Sequence, residues 1–459
     1  MTGVSAATGR GDSRARATPA RFDRMMRWVP PLVALLTPLA VMPAFARFSQ
    51  GQMYFFQAAV MAAGAALGVG WILLRRPSCW VITLPGLLGG VFFASMAISV
   101  FASGLALFSL KQALPQAAGL VLFILLTQQP GRRMLIERTL IALSIVAGGL
   151  AAYGVLQHFG LDLLDTHKVV FQKNPVIGTL GHPNYLSAVL GPMVFVLAGW
   201  FPELRRRSHR IALGLVVMVV LACILLARTR GIWLSLALSG LATVLLTARP
   251  KHGIHARSLW KKHPIAILVL LGVVVMAALA PGIDFGRRLS STQEIKSRLF
   301  YWRAAIDQAF ERPLAGHGPG TFDPAFWDYV IEHRQSGMAP FFADVLPAIS
   351  GSNPGHVHNE YLEIFHAQGL PGILAFLWLV GFFLYVPLAR MLSLRRRGSR
   401  PLREACLYGA LFTSLMHAGF SFPWHLPVSL IVFVTLLAWH YDRLYPRQRA
   451  LEVRISSGE

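Results

Sequence analysis

The stretch from Gly351 to Gly372 holds the densest group of chemically active side chains in the sequence. Turn-forming residues lead to His356 and His358, and a helix-forming stretch begins directly after them. A histidine at the start of a helix lies at the positive end of the helix dipole, which favours the neutral imidazole. Because a general base must be neutral before it accepts a proton, we predict that His358 is the catalytic base.

Other roles for these histidines stay open at this point. A metal bound by His356, His358 and His366 is one alternative, but zinc-binding helices usually offer ligands in a tighter His and carboxylate pattern. We therefore expect no metal and no cofactor. A histidine that only supports the local structure is the second alternative. Asn359, the neighbour of His358, is a candidate substrate contact.

Two segments carry arginines suited to binding an anion. Arg228-Thr229-Arg230-Gly231 lies between two apolar runs, and Arg298 opens an amphipathic segment with aromatic neighbours. The planar guanidinium forms paired hydrogen bonds with phosphate oxygens. We predict that Arg230 and Arg298 bind phosphate, with Arg228, Tyr301 and Trp302 as further candidate contacts. The alternatives are arginines that reach from a helix end towards water and aromatic rings that anchor the interface.

Two turns add weaker signals. Gly316-His317-Gly318-Pro319-Gly320 exposes backbone amides that can approach an anion, although a plain tight turn explains the glycines equally simply. His317 is a candidate substrate contact on the first interpretation. Asn184 follows a Gly-His-Pro sequence, where it either caps or enters a helix or contacts a sugar or phosphate.

The composition indicates which elements position these residues. The 459-residue chain is 55% hydrophobic and 14% charged, whereas soluble domains carry about 25% charged residues. Its apolar runs are long enough to cross a bilayer, and such runs must be helical because lipid offers the backbone no hydrogen-bond partners. We predict an all-α polytopic membrane protein with about twelve transmembrane helices, at 28–46, 54–74, 81–103, 113–128, 138–157, 184–202, 211–228, 231–248, 265–281, 370–389, 404–421 and 424–441.

The charges predict the orientation of these helices. The formal net charge is +23, and 30 of the 43 Lys and Arg fall in segments that an even number of spans places on one side. Cytoplasmic loops are rich in Lys and Arg, so the charge reports topology and does not indicate nucleic-acid binding. The predicted order is a disordered basic cytoplasmic arm (1–27), helices one to nine (28–281), a large periplasmic loop containing short helices (282–369), helices ten to twelve (370–441) and a cytoplasmic tail (442–459).

The large loop should hold at least one amphipathic helix. Apolar residues recur at helical spacing between Arg298 and Arg312, and Pro313 should end the helix. We expect this helix to lie on the membrane or on the bundle through Leu299, Trp302, Ile306, Ala309 and Phe310.

Taken together, these segments resemble the O-antigen ligase and polymerase superfamily. His358-Asn359, nine residues and Gly369-x-x-Gly372 are similar to the signature of lipopolysaccharide O-antigen ligases. Four further segments match in order: Gly181 to Asn184, Thr229-Arg230-Gly231, Arg298 to Trp302, and Gly316-x-Gly318-x-Gly320. The resemblance covers about 150 to 440.

The resemblance implies a metal-independent glycosyltransferase of the GT-C-like type in the bacterial inner membrane, with twelve spans and a periplasmic active site. Such an enzyme transfers O-antigen from an undecaprenyl-pyrophosphate donor to a lipid A–core acceptor. By analogy, His358 is the base that activates the acceptor hydroxyl, and Arg230 and Arg298 hold the pyrophosphate. The expected partners are these two lipids and membrane lipid, with no nucleic acid.

Three other functions stay open. An O-antigen polymerase and a protein O-oligosaccharyltransferase belong to the same superfamily, although the spacing from His358 to Gly372 favours the ligase. A lipid or polysaccharide transporter is the alternative of a different class. Transporters more often carry broken helices and charges near the membrane midplane, whereas Lys and Arg here fall in loops or near helix ends.

Overall fold

The computed structural model describes residues 22, 24–41, 48–73, 83–129, 131–164, 176–247, 292–335, 345, 354–397 and 401–446, and within them the regular secondary structure is helical throughout. The α-helices are α1 (Val29–Leu36), α2 (Phe48–Leu73), α3 (Leu84–Ala102), α4 (Ala106–Thr127), α5 (Arg132–His158), α6 (Pro183–Trp200), α7 (Arg207–Ala227), α8 (Arg230–Thr247), α9 (Thr292–Glu311), α10 (Phe322–Gln335), α11 (Glu360–Arg396), α12 (Leu402–Ala418) and α13 (Pro427–Leu444).

Eight of the described helices, α2 to α8 and α11, are long and apolar enough to cross a membrane. They correspond to eight of the twelve predicted spans, so the all-helical membrane class is confirmed. The total of twelve stays a prediction. The ninth predicted span and the end of the first lie outside the described residues, and α12 and α13, at predicted spans eleven and twelve, are not among the eight. The helix at the fourth span begins earlier than predicted, at Ala106, and continues through Lys111 and Pro115.

The bundle is built around α6, which is buried along most of its length. It packs against α5, α7 and α12, while α3 packs against α11 and α4 against α13. Large apolar side chains also point outward, among them Phe101, Leu107 and Trp378. Extensive exposed apolar surface marks a membrane or interaction surface, and here it agrees with helices that face lipid.

Two shorter helices, α9 and α10, form a separate small core beside the bundle. Phe300, Phe326 and Val357 are among its fully buried residues. The predicted amphipathic helix is present, but two of its five predicted contact residues, Leu299 and Phe310, are exposed. Ala309 is buried as predicted, and Trp302 and Ile306 are partly buried. The helix also buries Phe300, Tyr301, Ala304 and Ala305, because it packs against both α10 and α11.

Candidate active site

His358 sits in a strained turn immediately before α11. Its φ is 58°, a left-handed conformation that costs a residue other than glycine about 1–2 kcal/mol. On one side, the Val357 amide donates to Glu363 Oε2 over 2.7 Å. On the other, Asn359 Oδ1 caps α11 by accepting from the Tyr361 and Leu362 amides. His358 is held between two fixed neighbours, and such enforced strain is concentrated at functional sites.

The imidazole of His358 lies among aromatic rings. It stacks on Tyr301 with 6.1 Å between ring centroids and meets Phe422 edge-on at 5.2 Å. Burial, followed by the positive charge of Arg298, lowers the pKa of His358 to about 3. The sequence predicted a neutral imidazole on the strength of the helix dipole. The structure also gives a neutral imidazole, but burial and Arg298 are the principal causes.

Arg298 lies on the first half of α9 and reaches the loop between α12 and α13. Its Nη1 donates to the Phe420 carbonyl over 3.1 Å. After burial, the charge of Arg298 is the largest cause that lowers the pKa of both His358 and His182. These couplings place the guanidinium close to both imidazoles, so the structure brings the predicted anion-binding arginine and the predicted base together.

Arg230 is the first residue of α8, and its side chain is half-buried. The next residue, Gly231, packs against the same loop: a Cβ at Gly231 would lie 3.2 Å from Phe420 Cβ. The start of α8, which carries Arg230, and Arg298 of α9 therefore both lie at this loop. Arg228 is exposed and ends α7 with a φ of 55°, so the two arginines of the Arg228–Gly231 segment have different environments.

Of the other predicted substrate contacts, Tyr301 lies beside His358, and the rest make contacts that stabilise the surrounding helices. Asn184 does not cap α6. Its amide donates to His182 Nδ1 over 3.0 Å, so His182 is the cap and Asn184 enters the helix. The Tyr301 ring stacks on the His358 ring.

Trp302 packs on the small core, and its buried indole N–H has no hydrogen-bond partner among the described residues. Asn359 acts as the cap of α11.

His317 belongs to a joint between the glycine-rich turn and α11. The α11 helix is interrupted at Gly369, whose φ is 66°. Two carbonyls thereby lose their helical partners: Leu370 donates to Pro313 instead, and Pro371 has no N–H to donate. The missing bonds come from the turn, where the His317 amide donates to the His366 carbonyl and the Gly318 amide to the Ala367 carbonyl.

The contact between the glycine-rich turn and α11 explains the glycine at position 316 and the position of the His317 ring. A Cβ at Gly316 would collide with the Ala367 carbonyl, which accounts for a glycine at that position. The His317 ring stacks on His366 with 4.8 Å between centroids, and its Nε2 lies 2.7 Å from the Gln308 carbonyl. Two of the amides proposed to bind an anion are therefore already occupied by α11. The plain-turn interpretation describes this segment better.

A second imidazole and carboxylate group lies beside the His358 turn. His356 Nδ1 is 2.9 Å from Glu363 Oε1, and His425 Nε2 is 3.4 Å from Glu360 Oε1. Ligand atoms of His356, Glu363 and His425 lie within 4.8 Å of one another, which is compatible with a metal. The set weighed from sequence, with His358 and His366, is not the set that the structure brings together. Each imidazole here is paired with a carboxylate.

A comparison with protein families identifies part of the chain. Residues 213–377 match the family model described as O-antigen ligase. This segment of the chain is similar to the O-antigen ligase family. The match confirms the predicted resemblance and contains Arg228, Arg230, Arg298, His317 and His358. The family supports a membrane glycosyltransferase of the O-antigen ligase and polymerase type. No curated protein matches the chain at a significant level.

Some residues around the O-antigen ligase segment were missed from sequence. His182 lies before the matched range, and burial followed by Arg298 lowers its pKa to about 4. Because Nδ1 accepts from the Asn184 amide, the proton of the neutral ring sits on Nε2, which is then a donor. The Gly-His-Pro sequence led to a prediction for Asn184 and to none for His182.

The second missed feature is the loop Phe420-Ser421-Phe422-Pro423-Trp424-His425, called here the 420–425 loop. It contacts Arg298 through the Phe420 carbonyl and His358 through the Phe422 ring. The loop was missed because the predicted spans eleven and twelve leave almost no residues between them. The sequence feature that could have indicated it is a proline with three aromatic residues where the two apolar runs meet.

Glu363 should act as a positioning residue of the O-antigen ligase segment. Its carboxylate holds both the Val357 amide and the His356 ring. We expect Glu363→Ala to lower kcat by roughly 10–100-fold with an unchanged donor KM, because small misplacements of a catalytic group have effects of this order. Glu363→Gln keeps one acceptor and should retain more activity. Steady-state kinetics with melting curves would show this.

Glu332→Ala is the control for Glu363, since Glu332 is an exposed residue on α10. A raised donor KM at constant kcat, or a lowered melting temperature that accounts for the loss, would contradict positioning of His358.

Proposed function

We propose that the protein is an O-antigen ligase. It transfers a glycan from undecaprenyl pyrophosphate to a lipid A–core sugar at the periplasmic face of the bacterial inner membrane, with both termini in the cytoplasm. The observation that carries the proposal is a strained His358 whose ring packs on Phe422, in the same loop whose Phe420 carbonyl accepts from Arg298. The family match of residues 213–377 supports a glycosyl transfer of this type.

In this reaction His358 accepts the proton of the acceptor hydroxyl. The hydroxyl oxygen forms a bond to the anomeric carbon, the bond from that carbon to the diphosphate breaks, and its electron pair leaves with the diphosphate. Arg298 and Arg230 stabilise the added negative charge without a metal, as preorganised donors do in transition states. Attack from the face opposite the leaving group inverts the anomeric configuration.

The low pKa of His358 fits a reaction in which the donor binds before His358 accepts the proton. Before the donor binds, burial and the charge of Arg298 keep the imidazole neutral but weakly basic. A bound diphosphate neutralises Arg298, which removes one of the causes that lower the pKa and makes His358 a better base. The base is thus strengthened when the donor is in place. The Nε2–H of His182, on the same side of Arg298, is a further donor for the diphosphate or its sugar.

The test is ligation by purified protein with lipid-linked donor and lipid A–core acceptor, with neither ATP nor metal added. A covalent product with inverted linkage by NMR supports the proposal. A retained linkage, or activity abolished by EDTA, contradicts the mechanism. Product from donor alone would identify the polymerase, glycosylated Ser or Thr the protein O-oligosaccharyltransferase, and movement of intact lipid without product the transporter.

The pH dependence follows from the direction of the His358 shift. A base works in its neutral form, and a pKa of about 3 keeps His358 neutral throughout the range from pH 5 to 8. We expect kcat/KM, which reports groups of the free enzyme, to show no loss from His358 across that range. A histidine at the ordinary pKa of about 6.5 would be only about 3% neutral at pH 5. A drop of about 30-fold between pH 8 and 5 would contradict the shielded base.

A further inference from the structure

A cavity of about 340 Å³ lies among α3, α4, α11, α13 and the 420–425 loop. Its volume is in the range of small-molecule sites, about 300–1,000 Å³. Most of its wall is apolar, with aromatic rings from Phe92, Phe376, Trp424 and Phe433. The lining includes neither Arg298 nor His358, so this space is separate from the proposed diphosphate site.

Two buried polar groups in the lining have unsatisfied atoms. Glu360 is 2% exposed and Trp424 is 4% exposed. Glu360 Oε2 and Trp424 Nε1 have no hydrogen-bond partners among the described residues. Leaving such groups unpaired in an apolar environment is destabilising. An indole N–H needs an acceptor and a carboxylate oxygen needs a donor, and one hydroxyl group supplies both.

The charges of the lining argue against an anion. Glu360 and Glu363 both line the cavity, while none of its described lining residues is Lys or Arg. A phosphate placed here would face two carboxylates. An ammonium group would satisfy a carboxylate but would offer the Trp424 N–H no acceptor. An uncharged head group remains.

We propose that this cavity binds an aliphatic alcohol, a hydrocarbon chain bearing an uncharged hydroxyl group, with the hydroxyl at Glu360 and Trp424. At about 30 Å³ for each water-sized unit, the cavity holds roughly eleven such units, which is enough for most of a twelve-carbon chain. Binding is measured directly, so the proposal does not rest on the proposed function.

A chain bound in the cavity would touch Glu363, which itself contacts the turn that carries His358. Glu363 lines the cavity and at the same time accepts from the Val357 amide and the His356 ring. A chain packed against Glu363 would therefore restrict the carboxylate that holds the turn.

The chain offers a matched pair of glycines for a test. Gly89 lies on α3 in the cavity wall, and a Cβ there meets nothing within 4 Å, so Gly89→Leu should fill the space without a clash. Gly381 lies on α11 outside the cavity lining, and a Cβ there also meets nothing within 4 Å. Gly381→Leu is therefore the same change in a helix without loss of the cavity.

The experiment uses full-length protein in lipid nanodiscs and a photoreactive diazirine analogue of 1-dodecanol, with labelled peptides mapped by mass spectrometry. We expect labels on α3 and α13, competed by 1-dodecanol at least tenfold better than by dodecyl phosphate or dodecylammonium. Gly89→Leu should reduce labelling at least tenfold, and Gly381→Leu should leave it unchanged. Glu360→Gln, which alters only the polar end, should weaken the preference for the alcohol over dodecyl phosphate.

Three results would overturn the proposal. They are equal competition by dodecyl phosphate, labelling of Gly89→Leu at the level of Gly381→Leu, and an unchanged preference in a folded Glu360→Gln protein. If Gly89→Leu fails to fold, the Glu360→Gln comparison and the competition series on the unmodified protein still decide the question.

Discussion

His358→Asn should lower kcat for glycan transfer by roughly 10²–10⁴-fold, the usual contribution of a positioned general base. Asparagine is chosen because it tolerates the left-handed backbone that His358 adopts, with a φ of 58°. The substitution removes the proton acceptor and keeps the turn. The donor KM should change little, because Arg298 and Arg230 remain. Initial rates of product formation in the purified system measure both constants.

The matched control is His333→Asn on α10. His333 stacks on Tyr329 with 3.9 Å between ring centroids and lies outside the proposed site. It should keep full activity. Near-complete activity of His358→Asn would remove the base from the mechanism. His358→Ala is the less informative variant, because alanine adds backbone strain and mixes a folding defect with a chemical one.

The parts of this structure that sequence predicts best are those governed by local composition. The apolar run at Pro183–Trp200 gave its helix to within one or two residues, since lipid or a buried bundle requires a continuous helix there. That Arg298 and His358 contact the same loop was partly predictable too. The predicted topology puts both in one periplasmic loop, where arginines are expected to be rare, and an arginine in such a place indicates a functional position.

The missed parts depend on tertiary packing. Whether Asn184 or His182 caps α6 is decided by the backbone conformation at 182, which a Gly-His-Pro-Asn sequence leaves open. The buried face of α9 was predicted only in part, with Leu299 and Phe310 wrong, because two partners, α10 and α11, cover it, and a single apolar stripe describes only one partner. The 420–425 loop meets Arg298 across 122 residues of sequence, and no local pattern predicts such a contact.

The break in α11 corrects the interpretation of the glycine-rich turn. The sequence predicted a family signature from the spacing of His358 to Gly369-x-x-Gly372, and a candidate anion site at the glycine-rich turn. The structure connects the two: the interruption at Gly369 frees carbonyls that the turn then binds. These bonds join the glycine-rich turn, which follows α9, to α11, and Tyr301 of α9 also stacks on His358 just before α11.

Arg298→Gln should lower kcat for transfer by roughly 10²–10³-fold, the loss typical for one preorganised donor to a developing anion. Glutamine keeps a donor for the Phe420 carbonyl but removes the charge. The same change removes a cause that lowers the pKa of His358, so the acid limb of kcat/KM should move to higher pH. A defect in folding alone would not move that limb. Rates measured from pH 3 to 8 give both results.

Arg303→Gln supplies the control, because Arg303 lies five residues further along α9 with its side chain 64% exposed and paired with Asp307. It should retain activity and an unshifted pH profile. If Arg298→Gln lowers activity with the acid limb unmoved, Arg298 does not act on His358 as its position implies. If Arg298→Gln and Arg303→Gln behave alike, the negative charge of the leaving diphosphate is stabilised elsewhere, and Arg230 becomes the first residue to test.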